Sequence, residues 1–409
     1  MSAKFQYLLF IALSSCLFSS CIEQAIIYNN EPENETVFVG STDKSVYALD
    51  ARTGAKKWTA DVGSEILQGP LLSDSLMYVV CADQKIYAIN YLNRKTRWNN
   101  FVGNVATISL SNGLIYLRTA NRTLQVLDAQ TGIKRWSAEI YNGADSIPTI
   151  GTDIVLVRTH KDSLKAFEPQ TGARKWGKVV RANLKANPTT SLGTTYYNSD
   201  SLYAVDNGNG RKKWAYFVGK ITIGQGTIAT SISQINAMLF TRGLLYFADE
   251  SNQKLTAIRA DSAIFRRSFS PISNITGLGS INSVIYAYTK GGGLTAVDTS
   301  LRNEVWRLSI DVNLQNDPTI VSGIIFAGSF TNNFYALDGK TGTKKWTFAT
   351  VGNIPARSTF SNDIVFVNSP DGSVYALNAE TGKQQWTFKT NGKLYGKPAI
   401  LTTDRRIYQ

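Results

Sequence analysis

From Thr36 onward, apolar residues come in short runs broken by clusters of Asp, Asn, Ser and Gly, and no stretch shows helical spacing. Residues 70–98 display the pattern. Pro70-Leu-Leu is a brief apolar run. Leu76-Met-Tyr-Val-Val follows a Ser-Asp-Ser turn, Lys85-Ile-Tyr-Ala-Ile follows Ala-Asp-Gln, and Thr96-Arg-Trp98 follows an Asn-Arg-Lys turn. Four short strands with polar turns between them predict one antiparallel sheet.

The end of this pattern recurs. Aligned on the last residue, eleven-residue units stand at 48–58, 88–98, 126–136, 166–176, 204–214, 257–267, 296–306, 336–346 and 376–386. The clearest reads Ala336-Leu-Asp-Gly-Lys-Thr-Gly-Thr-Lys-Lys-Trp346. All eight tryptophans of the chain hold the last position: Trp58, Trp98, Trp136, Trp176, Trp214, Trp306, Trp346 and Trp386. Arg267 takes it in the sixth unit. The last positions lie 40, 38, 40, 38, 53, 39, 40 and 40 residues apart, and a fixed period near forty marks a repeat architecture. Four-stranded sheets at that period predict a β-propeller, whose radial stacking buries both faces of each blade.

Each motif position has a physical reason. A small first residue (Val126 is the exception to Ala) leaves room between sheets packed face to face. The third residue, an acid or amide in every unit but the sixth, can accept hydrogen bonds from turn amides. Gly at the seventh suits a turn that needs positive φ. Trp on the outermost strand can cover the neighbouring sheet while its indole N–H finds a backbone carbonyl. These residues are the structural docking set.

The motif resembles the tryptophan-docking repeat of PQQ-like (pyrroloquinoline quinone) β-propellers, and the resemblance spans essentially residues 36–409. It implies an all-β, single-propeller fold of four-stranded antiparallel blades. Counting motifs gives nine blades. Eight is the alternative and the commoner number in the family, if the degenerate sixth unit is an insertion. The first unit begins at Thr36-Val-Phe-Val-Gly and lacks an innermost strand, which Lys397-Pro-Ala-Ile-Leu401 can supply. The C-terminal strand is therefore expected to complete the first blade and remove the open edges.

The first residues differ from the rest. Lys4 precedes an apolar run too short to cross a bilayer, which ends in Phe18-Ser-Ser-Cys21. This resembles a bacterial lipobox, with Cys21 as the acylated residue and Cys16 as the alternative. Residues 1–20 are then a signal peptide, 21–35 a lipidated tether and 36–409 the propeller. Of three cysteines only Cys81 remains in the mature body, so no internal disulfide is available. More than one acyl chain gives stable anchoring.

Charge changes little. The chain carries 43 Lys and Arg against 30 Asp and Glu. Fifteen of the basic residues stand at motif positions eight to ten, against one acid there, Glu304. A solvated rim that blunts edge pairing explains them, with an anionic surface as the sharper reading. Nucleic acid is not an expected partner of an exported lipoprotein. His160 lies in a polar turn without a second ligand, and Gly291-Gly-Gly293 opens no helix. Asp43, Asp83 and Asp371 recur in short turns and read as turn residues.

The irregular place is between Trp214 and Ala257, with about fourteen surplus residues that fall in 219–238. Lys220, Ile221, Ile223, Gln225, Ile228, Ile232 and Met238 are the candidate binding-loop residues there. The expected function is a non-enzymatic, lipid-anchored, periplasm-facing scaffold. It would be similar to the propeller lipoprotein of the outer-membrane β-barrel assembly machinery. An envelope or outer-membrane protein is the expected partner, the propeller is monomeric, and neither metal nor cofactor is expected. Two alternatives stand: a dehydrogenase using pyrroloquinoline quinone with calcium, and a sensor propeller for a small ligand or carbohydrate.

Overall fold

Nine β-sheets of four or five strands follow one another along the described chain, one for each repeat unit. The structure, a computed structural model, describes residues 35–408 apart from 141–147, 160–162, 181–185, 225–226, 233–234, 250–252, 271, 273, 290–292, 310–317, 330–331, 352–357 and 404–405. Blade two is representative: Ile66–Leu72 is innermost, then Leu76–Cys81, Lys85–Asn90 and, outermost, Lys95–Phe101, each antiparallel to the last. The sixth unit is a full blade, made of Ile235–Thr241, Leu244–Asp249, Lys254–Arg259 and Phe265–Phe269. The fold is a nine-bladed all-β propeller.

The core lies between sheets. Each of nine hydrophobic clusters draws its residues from two consecutive blades. One joins the ninth blade to the first through Phe366, Val374 and Trp386 against Val37, Val39 and Leu49. The ring closes as the sequence requires. Ala399–Leu401 pairs with Thr36–Gly40, Thr36 lying opposite Leu401, and completes the first blade. A further short strand, Ile407–Tyr408, pairs with Ala399–Leu401 on its inner side, so this blade has five strands.

The seams show why the motif repeats. Trp346 is 8% exposed, and its indole Nε1 donates to the Ala379 carbonyl of the next blade at 2.9 Å. The ring lies against Gly382, which has φ of 70°, and a Cβ there would come within 2.6 Å of the indole. Glycine is required at this turn by backbone conformation and by close approach together. The third-position Asn378 caps the same turn, its Oδ1 accepting from Thr381 N at 2.9 Å and Oγ1 at 2.8 Å. Trp98, Trp136, Trp176, Trp214, Trp306 and Trp386 donate to the equivalent carbonyl, always that of the fourth motif residue of the next blade. Trp386 reaches Ala51 and so fastens the ring shut. Trp58 packs on Phe38, ring centroids 5.7 Å apart.

A β-bulge accompanies every motif, including the sixth. Ala336 lies opposite Trp346, but Leu337 lies opposite Lys344, so the tenth residue is extruded. Ala257 and Arg267 pair the same way, with Ile258 opposite Phe265. The extruded lysines are put to use: Lys57 Nζ donates to Thr36 Oγ1 at 2.8 Å and Lys213 Nζ to Thr194 Oγ1 at 2.7 Å.

The strand path gives the ring two unlike faces. One, the turn face, carries the turns between first and second strands and the motif turns between third and fourth. The other, the connection face, carries the turns between second and third strands and the links from blade to blade. Residue 35 is on the turn face: its carbonyl accepts from Ala51 N at 2.9 Å, and the Glu35 carboxylate accepts from Ser361 Oγ at 3.0 Å and Asn362 Nδ2 at 2.5 Å.

Candidate functional site

The surplus residues before blade six form a hairpin of their own. Gly219–Gly224 runs antiparallel to Thr227–Ile232, from Gly219 opposite Ile232 to Gly224 opposite Thr227. It is a two-stranded sheet on the connection face, and among the described residues neither outer edge meets another strand. Pleat and register place Ile221, Ile223, Ile228 and Ile232 at positions of one face and Lys220, Thr222, Ala229 and Ser231 at those of the other. Gln225 lies outside the described residues. Met238 does not belong to the hairpin. It lies opposite Phe247 in the innermost strand of blade six and packs into the core between blades five and six. That strand shifts register between Ile235 and Met238, an irregularity that a period count reads as insertion.

Apolar side chains surround the same face. Phe101 and Val179 end outermost strands, Val351 follows one, and all three are strongly exposed. The turns between second and third strands are also on this face, and their acids are engaged. Asp43 caps Ser45 N at 3.1 Å and accepts from Tyr47 OH at 2.7 Å. Asp83 caps Lys85 N at 3.2 Å and accepts from Tyr87 OH at 2.6 Å. Asp371 caps Ser373 N at 2.7 Å and accepts from Tyr375 OH at 3.0 Å. Burial, then the hydrogen bond to Asp83, pushes the Tyr87 hydroxyl up to about 12. These are the turn residues that the spacing indicated. Burial first, then Asp83, likewise pushes the Cys81 thiol up to about 12, which leaves it a buried apolar residue rather than a nucleophile.

A polar cavity of about 890 Å³ opens where the ring closes, lined by the first strands of blades eight, nine and one. Thr319 Oγ1 donates to the Ser358 carbonyl at 3.4 Å and Thr359 Oγ1 to the Pro398 carbonyl at 2.6 Å, so neighbouring innermost strands are tied across it. Ser358 Oγ, in a residue 4% exposed, has no hydrogen-bond partner. Lys397, Arg406 and Asp363 also line the cavity. Sequence reading missed it, since its walls come from residues separated by nearly the whole chain.

Among the described residues, no three His, Cys, Asp or Glu side chains lie together. Asp43, Asp83 and Asp371 are engaged as turn caps and Glu304 and Glu380 in ion pairs with Arg307 and Lys345, so these carboxylates do not form the oxygen cage that a quinone-bound calcium takes. No chemical step through that group follows from this geometry. Cys16, Cys21 and His160 lie outside the described residues.

Comparison with known proteins gives the family and the fold. The sequence matches the family described as outer membrane protein assembly factor BamB over residues 31–140, 99–268, 267–359 and 348–408. It is 23% identical over 265 residues to the outer membrane protein assembly factor BamB of Moranella endobia (strain PCIT), 57% of this chain and 64% of the relative. It is 27% identical over 128 residues to that of Yersinia pestis, 28% of this chain and 33% of the relative. The chain thus spans less than two thirds of the length of these curated relatives. The crystal structure of BamB from Moraxella catarrhalis has a TM-score of 0.57 at 18% identity, covering 75% of this chain and 96% of that one. Dihydro-heme d1 dehydrogenase NirN has a TM-score of 0.56 at 12% identity, covering 91% of this chain and 76% of that one. At such identities the structures share a fold and carry nothing about chemistry.

Proposed function

This chain belongs to the family of the outer membrane protein assembly factor BamB, and from that premise we propose that it is a non-enzymatic scaffold of the cell envelope. It is held by acylation of Cys21, with Cys16 as the alternative, in a periplasm-facing position at the outer membrane. It docks an envelope or outer-membrane protein through the connection face. One observation carries this reading. The hairpin 219–232 is the departure from the repeat that, among the described residues, offers a partner two open strand edges. An unpaired edge binds an extended segment by main-chain hydrogen bonds, while the alternate side chains add selectivity. Exposed Phe101, Val179 and Val351 on the same face supply apolar contact that no blade uses.

The test is crosslinking in intact cells. A photo-crosslinker at Ile223 should yield an adduct with an integral membrane protein. Replacing 220–231 by a short Gly linker should remove co-purification of that protein while changing stability by less than about 1 kcal/mol. Retained co-purification would sink the docking role of the hairpin. A spectral change and dye reduction on adding the quinone with calcium would instead establish the dehydrogenase reading. The cavity beside Ser358 is where a small-ligand sensor would bind, and a ligand lost on Ser358→Val would establish that one.

A further inference from the structure

We infer that the turn face carries a second docking surface, centred on blades five and six, whose occupant is an anionic lipid bilayer. Three side chains mark its centre. Leu192 is 93% exposed and has φ of 46° in the turn between the first two strands of blade five. A leucine in the left-handed region is costly. The same turn position carries Asn112, Asn282 and Asn362 in blades three, seven and nine, residues that tolerate that conformation. Ile264 and Phe265 are 55% and 51% exposed at the eighth and ninth motif positions of blade six. Blade eight has Thr343 and Lys344 there. So the sixth motif, degenerate as a clasp, presents apolar side chains where its counterpart presents polar ones.

Cations flank these residues. Arg211 and Lys212 stand exposed on blade five, and Arg242 and Arg266 on blade six. Lys213 binds the turn next to Leu192 through the Gly193 carbonyl, at 3.3 Å. Around the rest of the ring, Lys56, Lys95, Lys134, Arg174, Lys344 and Lys383 hold the eighth or ninth position of their motifs, all exposed. Among the described residues, none of the six has a side-chain hydrogen bond or ion pair. Edge-blunting explains lysines on outermost strands. It does not explain Leu192, which is on no edge strand.

Exposed apolar side chains within a basic surround match the interface of a membrane with anionic headgroups. The apolar groups enter the acyl boundary while lysine and arginine remain with the phosphates. Residue 35 fixes the incoming chain to this same face through Ala51 and Asn362.

The strands of all nine blades and the closing strand pair lie within 36–408, so a chain beginning at Ile22, which lacks Cys16 and Cys21, keeps the whole ring and can be tested. The measurement is co-sedimentation with phosphatidylcholine vesicles, with and without 30% phosphatidylglycerol as an experimental choice (~30%). Binding is expected only with phosphatidylglycerol, and to weaken at high salt. The variant Leu192→Asn/Ile264→Thr/Phe265→Lys installs residues found at these positions in other blades and adds a positive charge. It is expected to lose at least about tenfold in partitioning, whereas a purely electrostatic surface would bind better. The connection-face variant Phe101→Lys/Val351→Thr is the control and should bind as the parent. Equal binding to both vesicle types, unchanged binding of the triple variant, or loss in the control overturns the inference. So does competition by polyglutamate as strong as by vesicles, which would indicate an acidic protein. Crosslinking through the hairpin is indifferent to all these outcomes, so the two proposals fail separately.

Discussion

Two seams of the ring solve one packing problem with different residues. Between blades eight and nine, bulk comes from the outermost strand: Trp346 fills the gap and the facing turn is Gly382. Between blades six and seven, Arg267 holds the tryptophan position and is exposed, while the facing turn supplies Leu301, 2% exposed with φ of 54°. The carbonyl that elsewhere receives an indole N–H is that of Thr299, and here Tyr246 OH donates to it at 2.6 Å. Tyr78 and Tyr286 make the same bond beside Trp98 and Trp306, so the tyrosine arm of the clasp already exists in other blades. A seam therefore needs one large apolar group and one donor to the fourth-position carbonyl. Which strand or turn provides the bulk is free.

The largest effect that can break this comparison is loss of the indole. Trp346→Ala should cost about 3–5 kcal/mol, the range for deleting a buried aromatic, read from denaturant unfolding of the chain beginning at Ile22. Arg267→Ala at the equivalent position should fall within about 0.5 kcal/mol of the parent. Comparable losses at both positions would mean that the sixth seam still depends on its outermost strand. A smaller effect sharpens the same point. Leu301→Ala should cost about 2–4 kcal/mol, far more than an ordinary turn substitution. A near-neutral result would show that Leu301 does not carry the seam.

These seams also mark what was legible beforehand. The forty-residue period, the eight tryptophans and the missing innermost strand of the first unit were enough for a closed ring of nine blades or eight, and the complete sheet of the sixth unit decides for nine. They work because each is a requirement of packing one sheet on the next, repeated at fixed spacing. The bulge was not legible, because an eleven-residue motif does not say which residue faces which across two strands. Leu301 was hidden for a related reason: its role is defined by a partner in another blade, and only the loss of Trp at 267 hinted at compensation. Surplus length located the hairpin. Its pairing did not follow, since alternating Ile and Thr also suit a loop, and Met238 was drawn into it by a register shift. Leu192 carried no signal at all, being marked only by positive φ and exposure.

The motif turns extend the comparison to electrostatics, where the expected effects are smallest. In blade three the third-position Asp128 accepts from Arg135 at 2.7 Å and from Thr131 N at 2.9 Å. In blade six the third position is Arg259, paired at 2.5 Å with Asp261, which lies in open solvent. The guanidinium of Arg135 holds Asp128 at about 2, against partial burial and with help from Thr131, and that of Arg259, with Ser262 second, holds Asp261 at about 2. Both values are depressed, so any stability they contribute is fully present above the ordinary aspartate value of about 4. It is lost as pH falls through about 2. Asp128→Asn should therefore destabilise at pH 7 by no more than about 1 kcal/mol, with the difference from the parent vanishing in acid. Asp261→Asn should be indistinguishable from the parent once salt screens its exposed pair. Acid unfolding of both variants at low and high salt decides it. A salt-resistant loss in Asp261→Asn would mean that the blade-six turn is held by its ion pair, and that its departure from the repeat is structural as well as a change of surface.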